Sequence, residues 1–170
     1  MEAFYEPIVK AITERFGASV NEAYSEVTLL VAADKIVAAL TTLRDEFGFD
    51  MLPVETAVDY YPQTQPRFHV VYIVYSTVNH AYLNLRTPVN AEPAEIETVE
   101  TVYPSANWRE REIWDLFGIK FKGHSDLRRI MMPPNWEGHP LRKDYPLGYE
   151  EVQFTFNIDE IQAIKPRGER

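Results

Sequence analysis

The stretch Phe68-His-Val-Val-Tyr-Ile-Val-Tyr75 decides the fold. Its period is two: Phe68, Val70, Tyr72 and Val74 share one face, and His69, Val71, Ile73 and Tyr75 share the other. A strand apolar on both faces belongs in the interior of a sheet. On either side the same period continues, from about Met51 to Thr87. Val54 to Tyr61 is β-rich, and Ala81, Leu83 and Leu85 alternate with Tyr82, Asn84 and Arg86. Further toward the N-terminus, Phe4, Ile8, Ala11, Ile12 and Phe16 recur at helical spacing until Gly17 stops them. Val27, Leu29 and Val31 predict a short strand. Ile36, Leu40, Leu43 and Phe47 predict a second helix, capped by Asp34 and closed by Gly48. This order predicts an α+β fold, a two-layer sandwich of a mixed β-sheet with helices on one face.

The character changes after Pro88. Ala94 to Tyr103 predicts a short helix and Asn107 to Phe117 a stronger one, ended by Gly118. Beyond it Gly123, Pro133, Pro134, Gly138, Pro140, Pro146 and Gly148 crowd together, which forbids long helices and discourages ladder pairing. The expected organisation is an α+β domain over 1–118 and an extended, Pro-rich C-terminal arm over 119–170. The arm carries Phe121, Trp136, Tyr145, Tyr149, Phe154 and Phe156, aromatic surface that calls for a partner to cover it.

Composition narrows the function. The 170 residues are 45 % hydrophobic and 25 % charged, with a net charge of −9, which suits one globular domain and not a general nucleic-acid binder. The absence of cysteine excludes disulfides, thiolate-bound clusters and cysteine nucleophiles. The longest uncharged apolar run, Phe68 to Asn79, is too short to cross a bilayer, and the acidic start from Met1 to Pro7 is unlike a targeting peptide. A soluble, acidic, intracellular chain is expected.

No chemistry stands out. The seven glycines match neither dinucleotide nor Walker spacing, and no serine lies in a nucleophile elbow. Along the helix at 107–117, Arg111 and Asp115 are i,i+4 neighbours, and Arg109 and Glu112 are i,i+3. Ion pairing there is expected to keep Glu110, Glu112 and Asp115 ionised rather than poised for acid–base work. His124, Asp126, His139 and Asp144 could be read as metal ligands, but Arg128, Arg129, Arg142 and Lys143 would repel a cation. Those bases, interleaved with Trp136 and Tyr145, could grip RNA, yet they suit a protein interface better on so acidic a chain.

The string Glu110-Arg-Glu-Ile-Trp-Asp-Leu-Phe-Gly-Ile-Lys-Phe-Lys-Gly-His-Ser-Asp-Leu-Arg-Arg-Ile-Met-Met132 and its continuation Pro133-Pro-Asn-Trp-Glu-Gly-His-Pro-Leu-Arg-Lys-Asp-Tyr-Pro-Leu147 strongly resemble the signature of the respiratory complex I thirty-kilodalton subunit family. Two departures are Ser125, where the family usually has proline, and Pro134-Asn135, where an acidic residue is common. The related photosynthetic-type complexes carry tryptophan where this chain has His139, so the resemblance is to the respiratory branch. It implies a non-redox structural subunit of the peripheral arm of proton-translocating NADH:quinone oxidoreductase. Such a subunit holds no cofactor; FMN and Fe–S clusters reside in partner subunits. It packs on the quinone-site subunit of the forty-nine-kilodalton type, at the cytoplasmic side of a bacterial membrane, with no membrane insertion and no nucleic acid. The matching motif and interface residues are Glu110, Arg111, Glu112, Asp115, Phe117, Gly118, Gly123, His124, Arg128, Arg129, Trp136, Gly138, His139, Pro140, Arg142, Lys143, Asp144 and Tyr145. The arm's bases and aromatics, Tyr149 included, are expected to dock on that neighbour. The alternative is a stand-alone binding module or small metal-dependent enzyme using His124 and His139.

Overall fold

A computed structural model describes residues 4–23 and 26–146. Helix α1 (Tyr5–Phe16) leads into the hairpin β1 (Ser19–Ala23) and β2 (Glu26–Leu30), followed by α2 (Ile36–Phe47). Three long strands come next, β3 (Met51–Asp59), β4 (Phe68–Ser76) and β5 (Ala81–Val89). The described chain then forms β6 (Glu95–Glu97), α3 (Ala106–Phe117) and β7 (Lys120–Lys122). The first five strands make one sheet in the order β1-β2-β5-β4-β3. It is mixed: β2 runs parallel to β5, and the other neighbours are antiparallel.

The alternation in β4 translates directly into burial. Phe68, Val70, Tyr72 and Val74 have no exposed surface, whereas His69, Val71, Ile73 and Tyr75 are half-buried. The buried face meets Ile8 and Ile12 of α1, Leu40 and Leu43 of α2, and Ile113 of α3 in one core. Burying each such side chain contributes roughly 1.5–3 kcal/mol. The expected two-layer α+β arrangement is what forms, with β4 inside the sheet between β3 and β5.

Three features differ from expectation. Ala94 to Tyr103 is not a helix: Glu95–Glu97 is a strand pairing in parallel with Lys120–Lys122, and Thr98–Tyr103 turns back toward α3. That pairing ties the chain beyond Gly118 to the body, so residue 118 is not where compact structure stops. Asp34 does not cap α2, which starts at Ile36 with no side-chain cap. The third difference is an addition. Ser19–Ala23 shows no apolar alternation and is exposed throughout, yet it forms an edge strand because its backbone pairs with β2.

A candidate interface hung on the third helix

Helix α3 is the scaffold of the motif. Asp115 lies fully buried on it, and its Oδ2 accepts the backbone N–H groups of Ile130 (3.0 Å), Met131 (2.8 Å) and Met132 (2.8 Å). The Arg129 guanidinium donates to Oδ1. Burial alone would push this carboxyl up. The N–H of Met132, the guanidinium, and the N–H groups of Met131 and Ile130 overcome it and hold the group below the ordinary carboxylate value. One carboxylate therefore gathers the 129–132 loop.

This corrects the expected Arg111–Asp115 pair. Arg111 instead donates from Nε to the carbonyl of Arg128 (3.2 Å) and sits over the Trp108 ring, 5.0 Å from its centroid. Helical spacing shows which side chains can meet. A loop offering three N–H donors and a guanidinium satisfies a buried carboxylate more fully than one neighbouring arginine.

Glu110 also departs from expectation. It is buried without an arginine partner among the described residues, its Oε1 accepting from the backbone N–H of Val99 (2.7 Å) and its Oε2 from the Thr98 hydroxyl (2.5 Å). Burial pushes its pKa up to about 7, against the pull of those two donors and with the help of the Glu100 charge. Glu112, in contrast, is exposed.

The arm folds back over its own chain as far as Pro146. Arg129 also donates to the carbonyls of Trp136 (2.8 Å) and Gly138 (3.2 Å). Arg142 donates to the Phe117 carbonyl at the end of α3 and lies 5.5 Å from the Phe68 ring centroid. His139 Nδ1 donates to the Asp115 carbonyl (2.8 Å), and burial lowers its pKa. Gly118 permits this packing. Its φ is +74°, and an added Cβ would sit 2.5 Å from both Arg142 Nη2 and His139 Cδ2. Gly138 likewise lies against the Tyr145 ring, and Pro140 is half-buried beside it.

Sequence reasoning missed the clasp at the far end. Arg67 bonds both oxygens of Asp59 (3.0 and 2.9 Å) and both of Asp144 (2.9 and 2.6 Å), while the Lys143 N–H donates to Asp59 (2.9 Å). Its only signal was a charged residue placed directly before an apolar strand. Of the four arm bases, Arg129 and Arg142 are thus tied internally. Arg128 is exposed beside Asp126 (2.8 Å), and Lys143 is exposed. The expected contributions of Leu147, Tyr149, Phe154 and Phe156 lie outside the described residues.

His124 and His139 are not brought together. His124 accepts the Asp126 N–H at Nδ1 and bonds the Asn107 carbonyl through Nε2 (3.0 Å). Asn107 and Asp115 are eight residues apart on α3, about 12 Å by helical rise. Gly123 precedes His124, and Ser125, one of the departures from the family pattern, bonds Glu100 through its N–H and hydroxyl.

With Arg129 and Arg142 turned inward, large apolar side chains stand on the surface beside the exposed Arg128 and Lys143. Trp108 and Met131 are each 62 % exposed and Leu141 52 %. Trp108, Ile130 and Met131, together with Ser105, Arg109 and Glu112, line a cleft of about 380 Å³ between α3 and the loop that Asp115 holds. The loop wall of this cleft is held by the buried Asp115, which fixes Ile130 and Met131 against α3.

Comparison with known proteins identifies the relatives of this chain. The family model described as "Respiratory-chain NADH dehydrogenase, 30 Kd subunit" matches residues 29–151. A NADH-quinone oxidoreductase subunit of Geobacter sulfurreducens is 46 % identical over 139 residues, 80 % of this chain and 86 % of the relative. The subunit of the same name from Roseiflexus sp. is 45 % identical over 143 residues, 83 % of this chain and 82 % of its own. Among solved structures, the trypsin-resistant fragment of Nqo5 superposes with a TM-score of 0.66 at 28 % identity, covering 73 % of this chain and 99 % of the fragment. A chain of the membrane-bound sulfane sulfur reductase, an archaeal respiratory membrane complex, superposes with a TM-score of 0.71 at 25 % identity, covering 97 % and 95 %.

Proposed function

Because the chain belongs to the thirty-kilodalton subunit family of the respiratory-chain NADH dehydrogenase, we propose that it serves NADH–quinone oxidoreductase as a structural subunit of the peripheral arm that takes no part in redox chemistry itself. FMN and iron–sulfur clusters then belong to its neighbours, a reading supported by the lack of any cysteine to ligate a cluster. No helix among the described residues is long and apolar enough to cross a membrane, which suits attachment through other subunits on the cytoplasmic face. The partner on which it packs is the quinone-site subunit of the forty-nine-kilodalton type.

The observation that carries this reading is the Trp108–Ile130–Met131 cleft. Its walls are set by Asp115 and Arg111, so the apolar surface is pre-organised and docking orders little. Central aromatic anchors of this kind typically account for about 2 kcal/mol or more, roughly thirtyfold in affinity. Trp108→Ala and Met131→Asp are therefore expected to release the subunit from the quinone-site partner in co-purification, while circular dichroism of the free chain is unchanged. Normal assembly of both variants would show that the cleft is not the docking surface. Assembly without turnover would contradict the purely structural role.

A further inference from the structure

Beneath α3, on the side opposite the cleft, lies a group of polar atoms that subunit docking does not use. Glu55 of β3 is 4 % exposed, and neither carboxyl oxygen has a hydrogen-bond partner among the described residues. Tyr72 stands directly across from it in the β3–β4 register. That tyrosine is fully buried, and its hydroxyl is likewise unpartnered among the described residues. From above, α3 packs on β3 and brings in Glu110, also fully buried. An uncompensated carboxylate in such a place costs several kcal/mol, and two of them repel each other as well.

We propose that Glu55 and Glu110 form a two-carboxyl proton-binding site under α3, holding one proton across neutral pH and thereby keeping the helix seated on β3. The ligand is the proton itself. The unpartnered Glu55 oxygens cannot stay charged beside Glu110, whereas Glu110 can carry the negative charge on the Val99 N–H and the Thr98 hydroxyl. The charges facing the pair work against this division, so the hydrogen bonds to Glu110, and their lack at Glu55 among the described residues, decide it. Arg109 acts on Glu55 from α3, and Tyr72 faces both acids from β4. Glu100, held ionised by Ser125 and Asn107, adds negative charge near Glu110. The His124 Nε2 lies 3.9 Å from Glu110 but is turned to the Asn107 carbonyl. The two acids titrate as a unit, and burial raises both.

The sign of the pH dependence follows. The unfolded chain loses these protons near the ordinary value of 4.5, while in the folded chain burial raises Glu55 well above it and holds the Glu110 carboxyl to about 7. Each extra proton on the folded side weakens folding tenfold for each pH unit over which it is held. Urea titrations of the full chain between those pH values are expected to show this fall. Infrared spectra of the folded chain near neutral pH should show the carbonyl stretch of a protonated carboxylic acid. Glu55→Gln and the apolar Glu55→Met are expected to remove the Glu55 share of that band and make the slope shallower, leaving the part that belongs to Glu110, the Met variant being no less stable at neutral pH. Wild-type spectra without the band overturn the proposal, a measurement that stands even if neither variant folds. So does a folded Glu55 variant that keeps the full pH slope.

Discussion

Replacing Asp115 by asparagine changes one atom and should cost a large share of a domain's stability. The carboxylate serves four donors at once, three backbone N–H groups on Oδ2 and a guanidinium on Oδ1. Asparagine keeps a single acceptor. Turned toward the loop, it aims its NH2 at Arg129, whose side chain is only 16 % exposed. Turned the other way, it opposes three N–H groups with two more donors. Bonds to a charged acceptor contribute about 1.5–3 kcal/mol each, but a plain sum overshoots, because the loop can lift and meet water. Breaking a buried charge pair costs roughly 3–5 kcal/mol, and we expect a loss in that range, against a total of about 5–15 for a domain. Urea unfolding followed by tryptophan fluorescence measures it. The pH profile adds a second check. The folded carboxyl sits below its ordinary 3.8, so its contribution is complete above that value and is lost as pH falls through the folded one. The wild type should therefore lose stability steeply under acid, and the asparagine variant less so. A loss under about 1 kcal/mol, or identical acid profiles, would refute the account of Asp115 as the anchor of the loop.

Gly118→Ala combines a left-handed backbone with a Cβ pressed against Arg142 and His139. It should destabilise by about 2 kcal/mol or more and raise protease sensitivity at residues 139–145. Arg67→Leu leaves Asp59 buried and charged. We expect a loss of about 3 kcal/mol, read by thermal unfolding, with Asp144→Ala costing much less because Asp144 is 41 % exposed. Tyr103→Phe removes a 2.7 Å bond from its buried hydroxyl to the Phe49 carbonyl and should cost about 1–2 kcal/mol by the same measurement.

The parts of the molecule that were legible in sequence are those governed by local periodicity. The two faces of β4 follow from alternation alone, and the ends of the three described helices fall at Gly17, Gly48 and Gly118. The Glu95–Glu97 strand was not legible, because so short a run carries no period and its partner lies far downstream, beyond the whole of α3. The 110–115 motif showed which residues matter and misled about what they touch. Asp115 takes its partners from 14 to 17 residues downstream, and Glu110 takes its own from 11 and 12 upstream. Spacing along a helix encodes proximity on that helix, whereas a buried carboxyl is satisfied by whatever backbone the tertiary fold presents. The arm shows the same limit: its arginines were visible, but their use as internal ties became visible only once Phe117, Trp136 and Gly138 were brought beside them.

The crossing from β2 to β5 has a consequence for how the chain is made. Leu30 pairs with Arg86, so an early hairpin waits until α2, β3, β4 and most of β5 have been translated. At roughly 5–20 residues per second, that wait is about 3–11 s, long compared with hairpin closure in microseconds. During it β2 has only the exposed β1 beside it and offers its other edge to any strand nearby. The β3–β4–β5 meander, in contrast, closes through neighbours in sequence and can form as it emerges. Nascent-chain crowding should therefore harm the β1–β2 hairpin more than the rest, and a chaperone that shelters it on the ribosome would raise the yield of assembled subunit without altering the finished fold.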